Sequence, residues 1–147
     1  MTRWMRLLIF AGLALFAIYG LTVSRNSQEL APGPRTQIVL QWLIDSGEAQ
    51  AMGLDEVFRI GDTLTAAGPG VFEVDGNDYG SGTANIFLFA TEPDKAVKRV
   101  IELYDAGKLH RGMRIGVAKY TNPERTEWVY TPVYPAGLAS FEITYKK

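Results

Sequence analysis

The chain has no cysteine. Disulfide frameworks, zinc–thiolate sites, iron–sulfur clusters, cysteine nucleophiles and lipid-modified cysteine anchors are therefore all excluded. A single histidine, His110, rules out a multi-histidine metal site and leaves few options for a catalytic dyad. Charge of one sign is also missing: 15 Lys and Arg stand against 16 Asp and Glu, for a net charge of −1. That balance argues against a strongly basic nucleic-acid binder and a polyacidic tail. No internal repeat is visible. Hydrophobic residues make up 47% of the 147, enough for the packed core of one ordinary domain.

A long uncharged run is present at the N-terminus. Leu7 to Val23 spans seventeen residues without a charge, preceded by Arg3 and Arg6. As a helix it would be roughly 25 Å long, against a bilayer core of about 30 Å. Trp4 and Tyr19 suit the interfaces. The run exceeds the apolar region of a secretory signal, and Thr22-Val23-Ser24 is a poor cleavage site. It therefore reads as an uncleaved single-pass signal-anchor, with a cleaved, secreted form as the competing reading. The N-terminal arginines predict that residues 1–6 are cytoplasmic and the C-terminal part extracytoplasmic. In a Gram-negative cell this is an inner-membrane protein with a periplasmic domain.

Residues 24–34 (SRNSQELAPGP) are polar and punctuated by proline and glycine, so they read as a tether. At full stretch they reach at most about 35 Å. From Ser24 onward the charge is −3, because only Arg3 and Arg6 lie outside. No basic patch invites anionic lipid there.

The remainder, 35–147, reads as one soluble α+β domain. Thr36–Ile44 is β-branched and apolar, a strand by pattern, with a short helix as the alternative. Leu54–Ala67 has a helical stripe of Val57, Ile60, Gly61 and Leu64, stopped by Gly68-Pro69-Gly70. Val71–Asp75 and Thr83–Thr91 read as strands. The next helix has Thr91 as its expected cap, Pro93 and Asp94 in its first turn and Gly107 at its end. Met113, Ile115 and Val117 alternate on a fourth strand. The order β-α-β-β-α-β predicts a ferredoxin-like sheet, with further strands in Glu127–Tyr134 and Ser140–Tyr145. Two helices cover only one face of such a sheet. The aromatic C-terminus (Trp128, Tyr130, Tyr134, Phe141, Tyr145) is the expected cover for the other, ahead of a homodimer partner or a ligand.

Candidate site residues gather between the second and third strands: Asp75, Asn77, Asp78, Ser81 and, just beyond, Asn85. Read plainly, they form a hairpin loop rich in glycine and Asx turns. Read as a site, their oxygens would face a hard cation or a polar ligand, but the spacing does not match a calcium loop. Gly80-Ser81-Gly82 precedes a strand, so it is not a helix-capping phosphate cradle, nor is it the Gly-x-Ser-x-Gly elbow of hydrolases. No catalytic residue, metal or cofactor is assigned. His110, beyond a helix end, reads as a surface cation near the helix dipole.

Val74-Asp75-Gly76-Asn77-Asp78, followed by Gly80-Ser81-Gly82 and Asn85-Ile86-Phe87, resembles the signature of a small family of bacterial proteins of unknown function. The resemblance runs from about Gln37 to the C-terminus. In that family a histidine often stands at the position of Asn77 and a glutamate at that of Thr83. If the family uses those side chains chemically, this chain has lost them. The resemblance implies a compact α+β domain and supplies no activity.

The functional expectation is a membrane-tethered extracytoplasmic interaction or sensing module without catalysis. Its partners would be the bilayer, through residues 7–23, and an unidentified protein, with a homodimer as a further option and no nucleic acid. The alternative is a hydrolase or metal-dependent enzyme built on Asp75 and Asp78.

Overall fold

The computed structural model describes residues 29–44 and 52–143. The run at 7–23 lies outside these residues. Among the described residues no helix is long and apolar enough to cross a membrane.

The elements follow the hydrophobic periods. β1 is Thr36–Leu43, α1 Leu54–Ala67, β2 Glu73–Gly80, β3 Thr83–Ala90, α2 Pro93–Asp105, β4 Arg114–Tyr120 and β5 Trp128–Tyr134. The β-α-β-β-α-β order expected from the sequence is present, with one strand added. Ser140–Ile143, expected to begin another strand, has no regular secondary structure. The five strands form one sheet in the order β2-β3-β1-β4-β5, antiparallel throughout. Each β-α-β connection therefore skips a strand: α1 leads from β1 past β3 to β2, and α2 from β3 past β1 to β4.

The central strands are apolar on both faces because both faces are covered. Toward the helices, Ile38, Leu40 and Trp42 of β1 and Ala84, Ile86 and Leu88 of β3 pack with Val57, Ile60 and Leu64 of α1 and Ala96, Val100 and Leu103 of α2. On the opposite face the C-terminal segment after β5 lies as a strap. Phe141 is buried against Gly116 and sits 5.9 Å from the Tyr130 ring, while the Gln41 side chain donates to the Glu142 carbonyl. Tyr130 also donates to Gln37. Of the expected aromatic cover, Phe141 and Tyr130 lie on this face, Tyr134 packs on the helix side against Tyr104, and Tyr145 lies outside the described residues. Trp128 is not part of it: it lies at the sheet margin, 47% exposed, edge-on to Tyr120.

Two local expectations are corrected. Thr91 does not cap α2. Glu92 holds the cap position without a side-chain bond, and Pro93, whose missing N–H costs nothing there, opens the helix. β2 is longer than expected and absorbs most of the supposed loop. Gly107 does end α2, at φ +70°, with Lys108 N–H bonded to the Leu103 carbonyl and Gly107 N–H to that of Tyr104. That pair of bonds is a Schellman closure.

Register defines the two ends of the sheet. Thr36 lies opposite Ala90, Glu73 opposite Phe89 and Tyr120 opposite Trp128. The starts of β1, β2 and β5 and the ends of β3 and β4 therefore share one end, called proximal below. The starts of α1 and β4 and the β2–β3 turn lie at the distal end.

Candidate functional site

Asp75, Asn77 and Asp78 lie within β2, not in a loop, and only Ser81 and Gly82 form the turn. β2 is an edge strand. Backbone pairing with β3 holds it extended despite its low strand propensity, and its free edge leaves the polar side chains hydrated. The ladder slips between Val74 and Gly76, so Asp75 occupies a bulge and is exposed. Asn77, opposite Ile86, is exposed on the helix side. Asp78, opposite Asn85, belongs to the strap side and is half-buried. Ser81 sits in the turn at φ +50°. Among the described residues no group of three His, Asp or Glu side chains could hold a metal ion.

Asn85 is the one candidate that the fold buries completely. It accepts from Gln41 Nε2 at 3.1 Å and donates to Thr83 Oγ1 at 3.1 Å, and Gln41 also reaches the Glu142 carbonyl at 2.9 Å. Every buried polar side-chain atom described has a hydrogen-bond partner. Such a satisfied network fixes strand register and clamps the strap. The pairing extends it into a row across four strands: Asp78, Asn85, Gln41 and Arg114 stand side by side on the strap face. Asn77 and Thr83 fall on opposite faces, so side chains there do not converge.

A second cluster was not legible from spacing. Arg59 forms a two-pronged pair with Glu56 at 2.6 and 2.7 Å, and His110 Nδ1 lies 3.6 Å from the same carboxylate. The Arg59 hydrogen bond holds the Glu56 carboxyl below the ordinary carboxylate range, against the opposing effect of burial, with the Arg59 charge and then His110 adding to it. Glu56 in turn raises Arg59. His110 thus stands beside the first turn of α1, while its carbonyl accepts from the Trp42 indole at 3.0 Å. Also at the distal end, burial raises the Tyr134 hydroxyl, with Tyr104 and Asp105 adding to the shift.

An open cleft of about 540 Å³ lies at the proximal end beside β2, lined by Glu29, Leu30, Thr65, Phe72, Glu73 and Val74 among others. The Arg35–Glu73 ion pair, 2.7 Å, lies in its wall, with both side chains more than half exposed. An exposed pair of this kind contributes little to stability. Residues 29 and 30, read from sequence as tether, line this cleft.

The distal end carries exposed apolar side chains. Leu54 and Phe58, one helical turn apart on α1, are 44% and 51% exposed. Helical spacing puts them with Thr65 on the flank over β2, opposite the flank of Glu56. Tyr79 of β2, also exposed, donates to the Met52 carbonyl just ahead of α1. Together the three present one apolar, aromatic surface around the start of α1. Sequence reading missed Phe58, although a large aromatic off the core stripe of an amphipathic helix was the available signal.

Comparison with protein-family models, with curated proteins and with solved structures returned no match.

Proposed function

We propose that the protein is a membrane-tethered extracytoplasmic interaction module. Residues 7–23 anchor it, the sheet with its two split β-α-β units is a ferredoxin-like domain extended by one strand, and the distal surface receives a protein partner. The observation that carries this reading is the Leu54–Phe58–Tyr79 surface. It is exposed, lies at the end opposite the tether and contains no charged side chain among its three members. Large apolar groups held in water at one spot are what a docking site needs. The carboxylates considered for catalysis do not form a comparable site: Asp75 is displaced into a bulge, and Asp78 stands beside an amide already used in the strap clamp.

Affinity capture of the full chain from solubilised membranes tests the proposal, with Phe58→Glu as the matched control. Capture of a stoichiometric partner by the parent chain, lost on Phe58→Glu at unchanged melting temperature, is the expected result. A partner retained equally by both chains contradicts the assignment of the surface. A C-terminal alkaline phosphatase fusion checks topology: it should be active and remain with carbonate-washed membranes.

A further inference from the structure

We propose that the tip joining β4 to β5 rests on the lipid bilayer through Tyr120, Trp128 and Val129, an inference that builds on the membrane anchoring of residues 7–23. Four observations converge on it.

The tip is at the proximal end. Tyr120 lies opposite Trp128 at the end of the sheet where β1 begins. The chain arrives at that same end, and Arg125 of the tip donates to the Arg35 carbonyl at 2.6 Å.

The free tether is short. Glu29 and Leu30 line the proximal cleft, and Arg35 is paired with Glu73. Only residues 24–28 separate Val23 from Glu29. The six steps from Val23 to Glu29 span at most about 22 Å, so the proximal end stays within that reach of the bilayer.

The exposed chemistry suits an interface. Trp128 is 47% and Val129 54% exposed, and Trp128 meets the half-buried Tyr120 at 6.3 Å. Trp and Tyr rings favour the boundary between headgroups and acyl chains, where an apolar body and a polar atom are both accommodated. The Arg125 guanidinium stacks 3.8 Å over the Tyr120 ring and donates to the Arg35 carbonyl, so its charge is held within the tip.

The charge pattern separates this contact from an electrostatic one. Glu124 and Glu127 of the tip balance Arg125 and Lys119. Partition of aromatic surface, not attraction to anionic lipid, must therefore supply the contact.

The cysteine-free chain allows a direct test. Full-length protein is reconstituted into phosphatidylcholine vesicles with one spin-labelled cysteine at a time: Val129→Cys at the tip, Lys108→Cys at the distal end and Phe10→Cys in the apolar run. Accessibility is read with oxygen, which partitions into lipid, and with a water-soluble nickel chelate. The expected result is a Phe10 label in lipid and a Val129 label at interfacial depth. Its nickel accessibility should be about threefold below that of the Lys108 label while oxygen still reaches it. Trp128→Ser with Tyr120→Ser should return the Val129 label to water, and added phosphatidylglycerol should change nothing. With the Phe10 label in lipid, a Val129 label as accessible to nickel as Lys108 overturns the contact and leaves the anchor standing. A label shielded from both reagents means protein covers the tip, which also overturns it. A Phe10 label in water removes the anchor and this inference together.

Discussion

Gly116 has no room for a side chain. A Cβ there would meet the Phe141 ring at 2.5 Å, so the strap and β4 approach as closely as they do only because this position is glycine. Gly116→Ala should cost about 1–3 kcal/mol by pushing Phe141 off the sheet. Phe141→Ala alone should cost about 3–5 kcal/mol. In the double variant the first penalty should vanish, because the clash has no second partner, and a thermodynamic cycle from urea melts reads this coupling directly. Glu56 makes a pH-dependent contribution instead. Its carboxyl is depressed in the fold, chiefly by the Arg59 hydrogen bond. The stabilisation is therefore present above the ordinary carboxylate range and is lost as pH falls through the folded value. Thermal melts between pH 6 and pH 3, about the carboxylate range, should show a steeper acid decline for the parent chain than for Glu56→Gln. Tyr134 has the opposite sign: its hydroxyl is raised by burial, so its contribution is lost as pH rises through the alkaline range.

Among the elements, the helices were the most legible, because each has a buried stripe at helical spacing and a physical stop. α1 spans the residues that Val57, Ile60 and Leu64 mark out, and α2 ends where Gly107 permits a left-handed residue. The open space around Gly107 means that Gly107→Ala should lose only the backbone advantage, about 1 kcal/mol, measurable by chemical denaturation. β2 was hidden for an equally physical reason. Asp75, Gly76, Asn77 and Asp78 are turn formers by local preference, yet β3 supplies a partner for their backbone, and an edge position tolerates their side chains. The candidate site therefore dissolved. Closeness in sequence suggests a shared loop, whereas strand alternation sends Asn77 and Asp78 to opposite faces. What did emerge, the contact of Asn85 with Gln41, depends on pairing between segments 44 residues apart, which local patterning does not encode.

At the scale of the whole molecule, the need to cover a second sheet face was readable from β1, where Val39 and Leu43 face away from Ile38, Leu40 and Trp42. Which aromatic would do the covering was not: Trp128 has the larger ring, but it sits on an edge strand, whereas Phe141 is carried back over β4 by the strap. Ending the chain after Tyr134 should remove Phe141 and leave Gln41 without the Glu142 carbonyl. The loss of about 3–5 kcal/mol would consume much of a typical domain's stability of about 5–15 kcal/mol. The shortened protein should bind an apolar dye and aggregate on mild heating; a monomer with the parent melting temperature would contradict the role of the strap.

The strap also sets an order in time. A ribosome makes the four core strands and both helices before it makes Phe141, so Val39 and its neighbours on that face wait uncovered until the strap emerges. Closure of this face is thereby tied to the emergence of residue 141. Until residue 141 is available, the nascent protein keeps one apolar face that a chaperone can hold.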